Sequence, residues 1–368
     1  MQRREFLKNA GLGVAAGTIA APAAAQSQPQ IRWRMASSFP KSLDTLFGTA
    51  EQLTARVSRL TEGRFEIRVF AAGEIVPALQ VLDAVQNGTI ECGQTASYYY
   101  IGKNPALAFD TALPFGLNAR QQNAWMYYGG GQQLMREVFR QYNIVAFPCG
   151  NTGTQMAGWY RKEIKSVADL KGLKMRIAGL AGQILARVGV VPQQISGADI
   201  YPALEKGTID AAEWVGPYDD EKLGFHKVAK YYYYPGWWEG SAQLSIYVNA
   251  KQWTSLPKAY QDALEVACAE ANVHMLARYD ASNTEALRKL VGGGAQLRAL
   301  PRPVMEACYK AANEIYEELS AKSPEFKKIY ESWTRFRDDQ YLWFRVAENT
   351  YDNFMYSIKK PVAPTKTK

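Results

Sequence analysis

From Ile31 onward the chain switches repeatedly between two periodicities, and that switching restricts its fold more than any other feature. Residues 31–36 alternate apolar and polar, as a half-buried strand does, and run into the loop Ser37-Ser38-Phe39-Pro40. Residues 43–60 place Leu46, Ala50, Leu53, Val57 and Leu60 at helical spacing, and Thr61-Glu62-Gly63 stops them. Residues 65–70 read as a second strand, 76–86 as a second helix ending at Asn87-Gly88, and 89–94 as a third strand. Strand, helix and strand in this alternation predict an α/β architecture with largely parallel pairing.

The N-terminus reads as an address rather than as structure. Arg3-Arg4-Glu5-Phe6-Leu7-Lys8 precedes a short Gly/Ala-rich apolar run and the small residues Ala21 to Ala25. Paired arginines before Phe-Leu-Lys are the mark of a twin-arginine export signal over residues 1–25, with the mature chain starting near Gln26 in a bacterial periplasm. Removing residues 1–25 takes away Arg3, Arg4 and Lys8 against Glu5, so the formal charge of +8 falls to +6. That excess is dispersed, with no basic run interleaved with aromatics, which points away from nucleic acid and toward a small anionic partner.

About 340 mature residues exceed what one hydrophobic core serves, so two lobes are expected. A faint repeat agrees: Pro77-Ala78-Leu79 leads to Gly88-Thr89-Ile90-Glu91, and Pro202-Ala203-Leu204 leads to Gly207-Thr208-Ile209-Asp210. Ligand-capable residues follow each copy, Gln94 and Tyr98 to Tyr100 in one, Glu213 and Trp214 in the other. These positions fall where open α/β sheets bind ligands, at the carboxyl ends of strands. Residues 144–149 form an apolar strand, 150–154 read as a crossover between lobes, and 244–249 return as a strand. A long helix over 257–291 ends at Gly292-Gly293-Gly294, and residues 303–358 are almost wholly helical. Trp333, Phe336, Tyr341, Phe344 and Phe354 are too many aromatics for a solvated tail, so they pack across both lobes or against a second subunit. Residues 361–368 read as a frayed end.

Catalytic signatures are nearly absent. There are two histidines, His226 and His274, and no GxSxG, HExxH, phosphate loop or dinucleotide fingerprint. Gly129-Gly130-Gly131 lacks the strand and lysine of a phosphate cradle and reads as a flexible joint. Four cysteines, at 92, 149, 268 and 308, have no spacing that selects a pairing and read as small buried residues. The informative stretch is residues 207–240, where acid and indole adjoin twice, at Glu213-Trp214 and Trp238-Glu239. Exposed, such surface is costly; it makes sense if both acids converge on a cation and the rings wall off a small ligand. Hard cations want oxygen donors, and Gln155 and the Trp214 backbone carbonyl could add to the two glutamates. Arg176, flanked by Met175 and Ile177, is either a solvated strand residue or a guanidinium that forks onto a ligand carboxylate. One tyrosine from each run, 98–100 and 231–234, could donate a hydroxyl.

Over nearly its whole mature length the chain resembles an extracytoplasmic solute receptor of the TRAP transporter family, DctP type. Ala36-Ser37-Ser38-Phe39-Pro40, the run from Val167 to Arg176, and Gly207-Thr208-Ile209-Asp210-Ala211-Ala212-Glu213-Trp214 carry the resemblance. It implies a type II periplasmic binding fold: two α/β lobes, a long connecting helix and a C-terminal helical extension. The expected division is 26–150 with 243–297, 151–242 with 298–330, and an extension over 331–368 that could form a dimer. Gln155, Arg176, Glu213-Trp214 and Trp237-Trp238-Glu239 resemble the branch that binds 2-oxo acids or lactate with a cation. That branch implies Arg176 on the carboxylate, and Gln155, Glu213, Glu239 and the Trp214 backbone on Na+ or Ca2+. Arg176, Gln155, Glu213 and Glu239 would face Ser37, Phe39 and Tyr98 or Tyr99 from the other lobe. The implied partners are a small organic acid, the TRAP membrane subunits and a second copy of the chain. Pyruvate, longer 2-oxo acids, lactate and pyroglutamate all stay open as ligands. A periplasmic enzyme acting on organic acids is the rival class, and the missing catalytic bases weigh against it; an adhesion or scaffold protein is a third.

Overall fold

The computed structural model describes residues 28–358; the expected twin-arginine segment 1–25 and the expected frayed end 361–368 lie outside them. Strand β1 (Ile31–Ser37) pairs in parallel with β2 (Phe65–Phe70) and β3 (Cys92–Thr95). The helix Leu46–Leu60 covers them, burying Leu46, Phe47, Ala50, Leu53 and Val57, the stripe that the sequence spacing predicts. Strand β4 (Ile144–Asn151) ends this first half. The chain then crosses to a second sheet and lays down β5 (Gly158–Tyr160), β6 (Lys174–Arg176), β7 (Val191–Gln193), β8 (Ala211–Ala212) and β9 (Tyr231–Tyr234). It returns as β10 (Gln243–Asn249), and the helix Lys258–Gly292 leads to β11 (Gln296–Ala299).

The sheet orders are β2-β1-β3-β10-β4 and β11-β9-β5-β8-β6-β7. Both are mixed rather than largely parallel. Strand β10 runs antiparallel to β3 and β4, and β5 antiparallel to β8 and β9. Each is the strand on which the chain enters from the other lobe, so its direction is set by the crossing and not by a strand–helix–strand unit. Strand β11 belongs to the second sheet, beside β9. The boundary expected at 297 falls inside it and moves to just before Gln296. The long helix packs on the helix Leu46–Leu60, on β4, and on the helix Pro217–Leu223 of the second lobe.

The two glycine stops of the faint repeat share one backbone geometry, but their alignment differs from the expected one. Gly88 and Gly207 are both left-handed, with φ of 71° and 73°. Gly88 N–H donates to Val85 O at 3.0 Å and Thr89 N–H to Ala84 O at 2.9 Å; Gly207 donates to Leu204 O at 3.1 Å and Thr208 to Ala203 O at 3.0 Å. Ala84-Val85, not Ala78-Leu79, is therefore the counterpart of Ala203-Leu204, and the first helix begins at Val81 rather than 76. Pro77 to Leu79 form a turn before it.

The glycine triplet at 129–131 is not a flexible joint. A Cβ on Gly129 would meet the Phe336 ring at 2.9 Å, and one on Gly131 would meet the Trp125 ring at 2.6 Å. It is a close-packed turn between two helices. All four cysteines are buried and unpaired, as the sequence reading expects. No helix among the described residues is long and apolar enough to cross a membrane.

The C-terminal helices straddle both lobes. Arg302–Lys322 packs on the helix Leu180–Arg187, with Arg187 Nη2 donating to Glu318 at 2.8 Å. Pro324–Val346 buries Phe326, Ile329 and Trp333, and Phe326 lies 4.9 Å from Phe109 in the first lobe. Its second half and the helix Glu348–Ser357 leave Leu342, Trp343, Val346 and Phe354 exposed. Aromatics up to Phe336 pack on the lobes, Phe344 is half-buried beneath Arg120, and Trp343, Tyr351, Phe354 and Tyr356 are uncovered. The free extension begins some ten residues later than expected.

At Gly158 on β5 the main chain runs hard against Ala212 and Glu213. Its φ is 82°, and a Cβ there would stand 2.4 Å from Ala212 O and 2.8 Å from the Glu213 Cα, both backbone atoms that cannot swing aside. We expect Gly158→Ala to lower unfolding free energy by about 2 kcal/mol or more, combining overpacking with left-handed strain. Urea denaturation checks this; a loss within ~0.5 kcal/mol, the range of an ordinary surface substitution, contradicts it.

Candidate ligand and cation site

Strands β6 and β8 are parallel neighbours, with Arg176 in register with Ala212. Their carboxyl ends therefore deliver Arg176 and Glu213 side by side. Glu213 N–H donates to Arg176 O at 3.2 Å. In return, Arg176 Nη1 donates to Glu213 O at 2.8 Å and to its carboxylate Oε1. Arg176 Nε donates to Ile195 O at 3.3 Å, and Nη2 has no acceptor among the described residues. Arg176 is 1% exposed and Glu213 0%, so the solvated-strand reading of Arg176 falls away. The Trp214 ring lies 4.9 Å from the guanidinium carbon and edge-on to Phe39, 6.4 Å away.

Gln155 and Glu239, expected on the second lobe with Arg176, sit on the two segments that cross between lobes, 152–157 and 235–242. Those segments are tied to each other: Gln155 N–H donates to Glu239 O at 3.1 Å, and Gly236 N–H to Gln155 O at 2.9 Å. Met156 N–H donates to Val215 O at 3.0 Å, which ties the crossing to the residues after β8. The site is thus built where the hinge meets the strand ends. Gln155 Nε2 donates to Thr152 Oγ1 at 3.1 Å, leaving Oε1 without a donor. Glu213 Oε2 and Glu239 Oε2 are likewise buried with no donor.

Those three orphan oxygens dominate the electrostatics. Burial pushes the Glu213 carboxyl above its usual range, and Arg176 pulls it back. Glu239 is pushed up by burial and by the charge on Glu213; Arg176, the Tyr98 hydroxyl and the Gln155 amide oppose that. With both acids ionised, two negative charges face one positive charge, and desolvation makes the imbalance expensive. Among the described residues no three His, Cys, Asp or Glu side chains converge, so any cation here would take amide or backbone oxygens beside two carboxylates. The donor set suits a hard cation.

Between the lobes is a small cavity lined by Phe39, Leu46, Ala96, Tyr98, Tyr99, Thr152, Gln155, Trp214, Val215, Ala242 and Leu244, with about 20 Å³ of space for water centres. The cleft is closed. Gln194 Nε2 donates across it to Tyr99 O at 2.9 Å, and the Tyr98 ring sits against Gly179, where a Cβ would be 2.6 Å from it. Gly179 has a φ of 67°, so both backbone and space call for glycine there.

Gln155, Trp214, Phe39, Tyr98 and Tyr99 thus reach the cavity, whereas Arg176, Glu213 and Glu239 are not in its lining and adjoin it through Trp214 and Gln155. Ser37 does not reach it: its hydroxyl donates to Gln94 Oε1 at 2.7 Å and accepts from Phe39 N–H at 3.2 Å, so it braces the Phe39 loop. Gln94 is also committed, its Nε2 to Leu46 O at 2.9 Å. Tyr100 bonds Thr95 and Leu82. The second tyrosine run is structural, with Tyr232 on Asp220 and Tyr233 on Ile164. Trp237 and Trp238 are buried but do not line this cavity; Trp237 stacks on Phe115 at 4.8 Å. Sequence reasoning missed Leu46, Ala96, Ala242 and Leu244, which carry no signal beyond an ordinary apolar residue. It also missed Gln194 and the buried Asp219, whose contacts lie far away along the chain.

Residues 36–323 match the family described as bacterial extracellular solute-binding protein, family 7, the DctP family. A monocarboxylate 2-oxoacid-binding periplasmic protein of a Nostoc species is 52% identical, covering 97% of this chain and 100% of that one. A TRAP transporter solute-binding protein of Bordetella bronchiseptica, a dimer with calcium and picolinate in one site, is 61% identical. It superposes with a TM-score of 0.89 over 89% of this chain and 98% of its own. A TRAP periplasmic solute-binding protein of Pseudoalteromonas atlantica with bound sodium and pyruvate is 41% identical, TM-score 0.86, over 90% and 100%. The sheet order, the closed cleft and the match over most of the chain lead to one assignment. The protein belongs to the DctP family of extracellular solute-binding proteins, the solute receptors of TRAP transporters.

Proposed function

We propose that this receptor captures a short 2-oxo monocarboxylate such as pyruvate together with Na+ or Ca2+ in the periplasm and hands both to TRAP membrane subunits. The observation that carries the reading is the set of buried oxygens without donors, Gln155 Oε1, Glu213 Oε2 and Glu239 Oε2. Gln155, Glu213, Glu239 and the Trp214 backbone carbonyl would hold the cation. When bound, it supplies the positive charge that offsets the second carboxylate and lets an anion enter the closed cleft. Arg176, fixed by Glu213 and Ile195, presents its remaining amino group to the ligand carboxylate. Leu46, Ala96, Ala242 and Leu244 accept the chain beyond C2. The relatives' ligands support a 2-oxo acid. Pyruvate and picolinate both place a second donor atom, keto oxygen or ring nitrogen, in chelating distance of a carboxylate. Lactate shares that geometry through its hydroxyl and is the competitor to measure beside pyruvate.

Lobes 26–150 with 243–295 and 151–242 with 296–330 would close about the paired crossings, the ligand stabilising the closed form by its contacts to both. The N-terminal segment 1–25 would export the chain by the twin-arginine route. The exposed Leu342, Trp343, Val346 and Phe354 would bury against a second copy, as a dimer is reported for the Bordetella bronchiseptica relative.

Calorimetry with pyruvate and lactate in the presence of calcium tests the reading. Arg176→Lys keeps the charge beside Glu213 but loses the fork, and we expect it to weaken pyruvate binding about tenfold or more. Glu239→Gln should weaken pyruvate and calcium together. Unchanged calcium content by elemental analysis with Glu239→Gln would rule out a joint site.

The buried acids also set a pH signature. Burial pushes Asp110 up to about 6 and Asp220 to about 7, and raises Glu213 and Glu239 as well. A folded state that holds protons more tightly than the unfolded chain loses stability as pH rises through that range. Bound calcium requires both glutamates ionised, which removes their share of the loss. The melting-temperature gap between calcium–pyruvate-loaded and chelator-treated protein should widen from pH 5 to pH 8. A constant or shrinking gap contradicts the assignment. Ending the chain after Asp338 removes the uncovered aromatics and should yield monomers by light scattering; a persistent dimer would place the interface elsewhere.

A further inference from the structure

The helix Pro217–Leu223 carries an acid that the ligand site does not explain. Asp219 is 0% exposed and takes three donors from three parts of the fold. Its Oδ1 accepts from Thr45 Oγ1 at 2.8 Å. Its Oδ2 accepts from the Tyr279 hydroxyl at 2.7 Å and from the Trp214 indole Nε1 at 3.3 Å. Thr45 stands immediately before the helix Leu46–Leu60 of the first lobe, Tyr279 lies on the long helix, and Trp214 is the indole that covers Arg176. Beside this contact, Asp44 accepts from the Tyr218 hydroxyl at 3.0 Å and pairs with Lys222 and Arg278. Two successive residues of the first lobe, Asp44 and Thr45, are therefore gripped by three residues of one helix in the second.

The indole has little freedom. A Cβ on Gly197 would touch the ring at 2.5 Å, Phe39 meets its edge, and the guanidinium lies against its face. Its in-plane orientation is set by the one polar atom it owns, Nε1, and that atom reports to Asp219. Thr45 and Tyr279 both belong to the first lobe as divided above, so parting the lobes would take both donors from Asp219 and leave the Trp214 indole. A buried carboxylate that loses donors is expensive, and its remaining donor reorganises around it.

We propose, building on the receptor reading above, that Asp219 is a positioning residue for the ligand site. It fixes the Trp214 indole over Arg176 and, by sharing its carboxylate with Thr45 and Tyr279, ties that placement to lobe closure. The hub joins closure and head-group geometry into one equilibrium, so weakening it speeds ligand release more than it slows capture.

The test is stopped-flow and calorimetric binding of pyruvate, with calcium present, to the wild-type chain and to Asp219→Asn, Thr45→Val and Tyr279→Phe. Asn at 219 offers one acceptor oxygen where three donors converge. The expected result is about a tenfold rise in dissociation rate for Asp219→Asn with an association rate within twofold of wild type. Thr45→Val, which touches no ligand group, should shift dissociation the same way. The Thr45→Val/Asp219→Asn double variant should be no worse than Asp219→Asn alone. A lowered melting temperature with unchanged dissociation rates marks Asp219 as merely structural and overturns the proposal. Should Asp219→Asn fail to fold, Thr45→Val and Tyr279→Phe decide: unchanged dissociation in both overturns it. A wild-type chain that binds no pyruvate sinks the pyruvate reading instead, and small-angle scattering then decides this one. Asp219→Asn should give a larger radius of gyration than wild type, and an unchanged profile overturns the proposal.

Discussion

An arginine and a glutamate sealed from water, with a second glutamate facing them, are the constraint on which this molecule is arranged. Desolvation of a buried pair offsets most of its Coulomb attraction, and a third charge tips the balance against the closed state. Arg176 is held by backbone carbonyls at Glu213 and Ile195, so the charge cannot turn away from the cleft to relieve itself. The surplus is negative and points at the place where the lobes meet. A divalent cation with a monocarboxylate cancels that surplus, a monovalent one leaves a single negative charge spread over more oxygens, and a neutral solute alone leaves it untouched.

The location of these charges explains why closure and binding are one event. Arg176 and Glu213 belong to strand ends of the second sheet, while Gln155 and Glu239 ride on the paired crossings. A hinge that carries half of the proposed donor set would change its geometry whenever the lobes move. Phe39, Tyr98 and Tyr99 arrive from the first lobe and complete the wall. The close approach of Tyr98 to Gly179 and the contact of Thr45 with Asp219 both join the two lobes. Mobility and recognition are thereby written into the same few segments.

The fold places a further demand on the C-terminal helices. They bridge both lobes through Arg302–Lys322 and the buried start of Pro324–Val346, then present an uncovered apolar end. That surface sits on helices anchored by Trp333 and Phe326 and not on a loose tail. Its residues are held in a defined relative arrangement, which an interface requires and a frayed segment lacks.

Local pattern was enough for much of this. Periodicity gave β1, the helix Leu46–Leu60, β2 and the long helix, because a half-buried strand and an amphipathic helix must repeat at their own periods. The acid–indole pairs marked Glu213, Trp214 and Glu239, because charge beside exposed aromatic surface has few cheap explanations. What the sequence could not express were relations between distant segments. The antiparallel insertion of β10, the move of β11 to the second sheet, and the diversion of Ser37 and Gln94 into bracing the Phe39 loop all depend on which strands become neighbours. The apolar lining from Leu46, Ala96, Ala242 and Leu244 is invisible for the same reason. Residue types and their spacing determined the elements and the chemistry on offer. Which side chains would share a closed, water-free space was decided by packing, since desolvation and hydrogen-bond partnership exist only once the chain has folded.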